Sequence, residues 1–156
     1  MKRAVLAGAV VVCGFGAMFP QLSFAGDMKA ALSPCLANKT AVGEVPSCGK
    51  IWMLKSGEAH LAGDGHLKVN VKGLVLNDDT VGKFKGTPDG VDAVAAAVVC
   101  NGKVVAQTEP VPLSQAGDAS VDAKVSVPAS CGKPVVVLRE RYEGKIGGWL
   151  AGTVGK

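Results

Sequence analysis

Apolar and polar positions alternate most regularly from His66 to Lys72. Leu67, Val69 and Val71 take one side; His66, Lys68, Asn70 and Lys72 take the other. A period of two with one wet face predicts a half-buried strand. Glu58 to Ala62 alternates too, and Gly63-Asp64-Gly65 separates the two runs. Placing Leu61 opposite Leu67 and Ala59 opposite Val69 requires a three-residue loop, with Gly65 in the left-handed conformation. A two-residue Asp-Gly loop would set Leu61 against Lys68.

Val91 to Cys100 is apolar on both faces and rich in alanine, so periodicity alone does not separate strand from helix. The following Asn101-Gly102 is a two-residue hairpin signal, and Lys103 to Thr108 is rich in valine. Together they predict a strand, central in its sheet, turning back into a second one. Pro110 and Pro112 end that hairpin. Ala119 to Val127 alternates again, with Val121, Ala123, Val125 and Val127 inward and Ser120, Asp122, Lys124 and Ser126 outward. Val135 to Tyr142 and Gly147 to Val154 read as closing strands, and Lys50 to Leu54 as the first. Asn77 to Gly90, with its Gly, Pro and Asp, predicts a long, exposed and mobile connection. Gly26 to Lys39 reads as a short helix, with Asp27 as cap, Met28, Ala31 and Leu32 on one face, and Pro34 limiting it. The fold class expected is all-β: an antiparallel β-sandwich of immunoglobulin-like shape with seven or eight strands. A small barrel is the alternative.

The N-terminus changes the context. Met1-Lys2-Arg3 is basic, Ala4 to Met18 is uncharged and mostly apolar, Pro20 breaks any helix, and Ser23-Phe24-Ala25 puts small residues at the −3 and −1 positions. That layout predicts a signal peptide over residues 1–25, an N-terminal segment over 26–48 and a β-sandwich domain over 49–156. Cys13 follows Val11-Val12 rather than a small residue, so it reads as signal filler, not a lipid site. The protein is then exported, to periplasm or extracellular space. No later apolar run approaches the ~20 residues of a membrane span, so no transmembrane segment is expected after residue 25.

Export makes the cysteines informative. Cys35, Cys48, Cys100 and Cys131 are an even set in an oxidising compartment, and two disulfides are the expectation. Their wide spacing lacks the paired C-x₂₋₄-C pattern of a zinc site. Counting directions through the Asn101-Gly102 hairpin and a reversal over 110–117 brings Cys131 to the same end as Cys100. Cys35 and Cys48 are left to pair locally.

Composition narrows function mainly by exclusion. Of 156 residues, 19% are charged and 4% aromatic, and the net charge of +4 includes Lys2 and Arg3 of the leader. So small an excess predicts neither a nucleic-acid partner nor an anionic membrane surface. His60 and His66 are the only histidines; the hairpin register places them diagonally on one outer face, with Glu58 and Asp64 close by. Two imidazoles with a carboxylate form a candidate Cu²⁺ or Zn²⁺ site, against which Lys68 counts. Asn77-Asp78-Asp79 with Asp89 and Asp92 could attract Ca²⁺ but lacks the spacing of the known loop. Arg139 and Arg141 share a strand face and could grip an anion. No G-x-S-x-G nucleophile motif occurs. Ser-Cys-Gly-Lys recurs at Ser47–Lys50 and Ser130–Lys133, with a looser copy at Cys100–Lys103, and reads as repeated turn chemistry around half-cystines.

Several stretches are similar to a pattern in uncharacterised exported bacterial proteins with a small β-domain. They are Gly57-Glu58-Ala59-His60-Leu61 leading into Leu67–Leu76, then Val99-Cys100-Asn101-Gly102, Glu109-Pro110-Val111-Pro112-Leu113 and Gly117-Asp118-Ala119. The resemblance spans roughly Gly57 to Thr153. It implies a small exported β-domain, and it assigns no activity, cofactor or functional residue. The expected function is therefore non-enzymatic: a binding module or structural component of the envelope with an envelope or extracellular partner. The alternative is a periplasmic metal-binding protein using the His60/His66 hairpin. No cofactor is expected.

Overall fold

The computed structural model describes residues 26–37 and 40–154. The expected signal peptide over 1–25 lies outside the described residues. Among them, no helix is long and apolar enough to cross a membrane. The described residues form an all-β fold with antiparallel sheets. In chain order the strands are β1 (Met28–Ala31), β2 (Ser33–Pro34), β3 (Trp52–Met53), β4 (Ser56–Leu61), β5 (His66–Lys72) and β6 (Val75–Leu76). They continue as β7 (Val91–Cys100), β8 (Lys103–Gln107), β9 (Val111–Pro112), β10 (Ala119–Lys124), β11 (Val135–Tyr142) and β12 (Lys145–Gly152). One sheet has the order β1-β4-β5-β10, a second β2-β12-β11-β7-β8 with β9 also on β7, and β3 pairs β6 in a minor third.

The central hairpin takes the register its alternation predicts. Leu61 faces Leu67, Ala59 faces Val69 and His60 faces Lys68. Gly65 is left-handed, at φ +89°, and a side chain there would strike the Val125 carbonyl oxygen at 2.1 Å. Only glycine lets Val125 N–H reach the Gly65 carbonyl, at 2.8 Å. That bond ties β10's exit to the hairpin loop.

Among the described residues of Gly26–Lys39, the expected helix is not formed. Met28–Ala31 instead adds a strand to β4, with Met28 opposite Leu61 and Ala30 opposite Ala59. Alternating burial along β1 replaces the helical face. A helix this short, stopped by Pro34, forms few internal hydrogen bonds. The open edge of β4 offers a full ladder instead. The Asn77–Gly90 connection also holds more order than its composition suggests. Asp79–Phe84 is a 3₁₀ helix capped by the Asp78 side chain, though its residues stay largely exposed.

The two main sheets share one hydrophobic core. Leu61, Leu67, Val69 and Val121 enter it from the first, and Val94, Val98, Val136, Leu138 and Leu150 from the second. β7 lies between β11 on one side and β8 with β9 on the other, buried on both faces from Ala93 to Cys100. Its alanines leave room for Arg139 of β11 to span it: Arg139 lies opposite Ala95, and its Nη1 donates to Gln107 Oε1 on β8 at 2.8 Å.

Both disulfides form, with the pairing that direction counting predicts. Cys35–Cys48 and Cys100–Cys131 have Cα separations of 6.1 and 5.3 Å. β8 and β9 run back along β7, the Ser114–Asp118 turn reverses the chain, and β10 returns in the opposite sheet. The first disulfide anchors a strap. Val42 and Val45 exchange both backbone hydrogen bonds around Gly43-Glu44, and Glu44 N–H donates to the Gly102 carbonyl at 2.8 Å. Glu44 Oε1 accepts from Val104 N–H at 2.7 Å, capping an amide of the β8 edge strand. At the other end, Trp149 Nε1–H donates to the Thr40 carbonyl at 3.0 Å.

Candidate functional site

The outer face of the four-stranded sheet collects most of the chemistry singled out above. Its side chains follow from the pleat. Once the odd-numbered residues of β5 enter the core, His66, Lys68, Asn70 and Lys72 must face out. Pairing with β4 sets Glu58 beside Asn70 and His60 beside Lys68. Pairing with β10 sets Ser120, Asp122 and Lys124 beside Asn70, Lys68 and His66.

The two histidines occupy the predicted diagonal, but each has its own environment. His66 Nε2 lies 2.5 Å from Asp122 Oδ1. That contact is the main reason the Asp122 carboxyl is held below the usual range, with Lys68 assisting at 3.9 Å. His60 sits opposite Lys68 on one side and Lys29 of β1 on the other. Asp64 accepts from the His66 backbone N–H at 2.9 Å, which is the leading cause of its lowered pKa; Lys124 adds to it. Glu58 pairs with Lys29 at 3.7 Å rather than with either histidine. The structure thus brings Asp122, not Glu58, to His66. Among the described residues, no three His, Cys, Asp or Glu side chains gather as a metal-holding group.

Asp122 was legible as an outward residue of its strand but not as a partner of His66. The β5–β10 pairing joins residues 48 to 58 positions apart, and no local pattern carries it. Further along the same face, Ser120 Oγ donates to Asn70 Oδ1 at 2.7 Å. Hollows of about 300 and 360 Å³ lie here, the first against Glu58 and the second against Asp118, both reaching Asn70 and Lys72. A larger hollow of about 690 Å³ lies elsewhere, between Gly26–Lys29 and Ala129–Pro134.

The remaining candidates are drawn into the fold separately. Asp78 caps the 3₁₀ helix and accepts from Ile51 N–H, Asp79 pairs with Lys85, and Asp92 faces Arg141. The acidic residues of the 77–92 stretch therefore do not converge on one cation. Arg141 spends its fork on Asp92, with Nε–Oδ1 at 3.0 Å and Nη2–Oδ2 at 2.7 Å. This bidentate hydrogen bonding holds the Asp92 carboxyl below its ordinary range. Arg139 is used structurally, on Gly147 and Gln107. Glu140 differs from these exposed acids: it is half-buried, and burial pushes its carboxyl upward.

Comparison with known proteins adds no template: no family model, no curated protein and no solved structure matches the chain.

Proposed function

We propose that the chain is an exported, non-enzymatic envelope protein: a β-sandwich of immunoglobulin-like shape that binds or builds through its surface. The observation that carries this reading is the complete pairing of the four cysteines beyond residue 25. Disulfides of this kind persist in oxidising compartments such as the periplasm. The distribution of polar groups supports the second half. Several titratable side chains of the outer face, Lys29 with Glu58 and His66 and Lys68 with Asp122, stand in exposed pairs along a sheet, an arrangement suited to surface contact. The 26–48 segment is built into the domain by β1, β2 and the strap.

Intact mass and N-terminal sequencing of protein from the native envelope test the export half. The expected start is Gly26, with no free thiol. A start at Met1, a lipid on Cys13 or free thiols would overturn it. A pull-down from the same envelope tests the binding half.

A second reading, Cu²⁺ or Zn²⁺ held by His60 and His66, gains one observation: a carboxylate, Asp122, already meets His66. Lys68, between His60 and Asp122 in the same cross-strand row, opposes it. Metal analysis of the natively purified protein separates the two readings. Stoichiometric copper or zinc that a His60→Ala variant loses would establish the second.

A further inference from the structure

The two main sheets differ in how their edges are finished. In the larger sheet both outer strands are blunted. β2 is short and ends in Pro34, which has no N–H to offer. β8 shifts register against β7, and Glu44 occupies its Val104 amide. In the four-stranded sheet, β1 and β10 carry no proline and keep a regular register. Leu32 N–H donates to the Gly57 carbonyl at 3.0 Å, so Met28 and Ala30, of the same parity, turn their backbone groups to β4. Those of Lys29 and Ala31 point off the sheet. Val125 N–H donates to the Gly65 carbonyl at 2.8 Å, which likewise leaves Ser120, Asp122 and Lys124 pointing off the far edge. Among the described residues, none of these outward amides finds a backbone acceptor.

The two open edges fit each other. Each neighbouring pair in this sheet is antiparallel, so β1 and β10 run in opposite directions. A second copy laid alongside in the same orientation therefore brings its β10 antiparallel to β1. Setting Lys29 opposite Asp122 also sets Asp27 opposite Lys124 and Ala31 opposite Ser120, all of them exposed. On the core side Ala30 then meets Val121, and Met28 meets Ala123. A slip of two residues one way opposes Lys29 to Lys124; the other way, it opposes Asp27 to Asp122. A slip of one puts outer side chains against inner ones. A single register thus satisfies charge, face and hydrogen-bond parity together. The charged groups have partners within the chain, but exposed ones: Glu58 for Lys29, His66 and Lys68 for Asp122, and Asp64 for Lys124. Asp27 accepts from the Gly63 N–H. Each can take a second partner without being stripped of the first.

We infer that copies of this chain join edge to edge, β1 of one against β10 of the next. The contact is heterologous, so it does not close at a dimer but extends as an open row. This deepens the reading of a structural envelope component and rests on it.

Sedimentation velocity and light scattering on natively purified protein, from about 10 μM to about 1 mM, test the junction. The wild type should show a mass that rises with concentration and passes the dimer. Lys29→Asp and Asp122→Lys should each raise the junction's dissociation constant about tenfold, because attraction becomes repulsion. Both substitutions in one chain restore opposite charges and should return association to near the wild-type level. Ala31→Pro removes an outward N–H but no bond to β4, and should weaken association as well; it decides the matter if a charge variant folds poorly. A wild type that stays monomeric, a mass that stops at the dimer, or edge variants that associate like the wild type would overturn the inference. So would a double variant no better than its parents. Intact mass reports export separately: a Met1 start would refute the envelope reading, while the comparison of variants sharing that start would still decide the junction.

Discussion

Replacing Cys100 and Cys131 together by alanine tests how the second disulfide acts. The bridge closes a loop with a sequence separation of 31 and joins the end of β7 to the segment entering β11. Cross-linking removes loop-closure entropy from the unfolded chain. For a loop of this length the chain-entropy relation gives about 3.7 kcal/mol at 25 °C. The Cys35–Cys48 loop, with a separation of 13, gives about 2.9 kcal/mol by the same relation. Both half-cystines of the longer loop are buried, at 4% and 2% exposure, so the alanine pair also leaves a small void. The loss should therefore reach or slightly exceed the entropic figure. With a urea m-value of about 1.5 kcal/mol/M, the unfolding midpoint falls by roughly 2.5 M. Because the two loops do not overlap in sequence, opening both should cost roughly 6.6 kcal/mol. That exhausts much of the about 5–15 kcal/mol available to a domain. Urea titration of the wild type and the two double variants, with peptide mapping of each, reads these numbers directly. A loss below about 1 kcal/mol for the longer loop would refute the entropic account. A greater loss for the shorter loop would show that the strap it anchors outweighs loop length.

Other outcomes follow from single positions. Gly117→Ala should destabilise by about 2–3 kcal/mol, because left-handed strain adds to a Cβ placed 2.4 Å from the Leu74 carbonyl oxygen. Gly86→Ala, also left-handed but facing open space, should cost only about 1 kcal/mol, and urea midpoints compare the two. Glu140→Gln should raise the melting temperature at pH 7. Burial raises the folded carboxyl's pKa above its unfolded value, so charging it opposes folding. That advantage should shrink as pH falls through the raised folded value and vanish below the unfolded one; melts across that range check the sign. His60→Gln/His66→Gln should change stability by no more than about 0.5 kcal/mol, as exposed substitutions usually do; a larger loss in thermal melts would show that the pair is bound or buried.

Local pattern was sufficient where it extended over several residues and met a turn with its own chemistry. The His66–Lys72 alternation, the three-residue loop with its left-handed Gly65, and the Asn101-Gly102 reversal each constrain the chain over a few residues. Cross-strand register follows, because a slip of one residue would expose every buried side chain. Strand direction, counted through those turns, was enough to pair the four cysteines. Pattern failed where a segment's partner lay far away in sequence. Met28–Ala31 has the spacing of a helical turn and also that of a short strand. The unpaired edge of β4 decides between them by supplying a hydrogen-bond ladder. The meeting of Asp122 with His66, the span of Arg139 across β7 and the capping of Val104 by Glu44 likewise depend on which strands become neighbours. So does the gathering of Leu36, Ile51, Met53 and Phe84. Ile51 and Met53 belong to one apolar run, Ile51 to Leu54, but only the backbone bonding through β3 and β6 brings the Leu36 and Phe84 segments beside it. Short-range sterics and the two-residue pleat are written into the chain itself, whereas the cost of closing long loops is recovered only when the whole sheet forms.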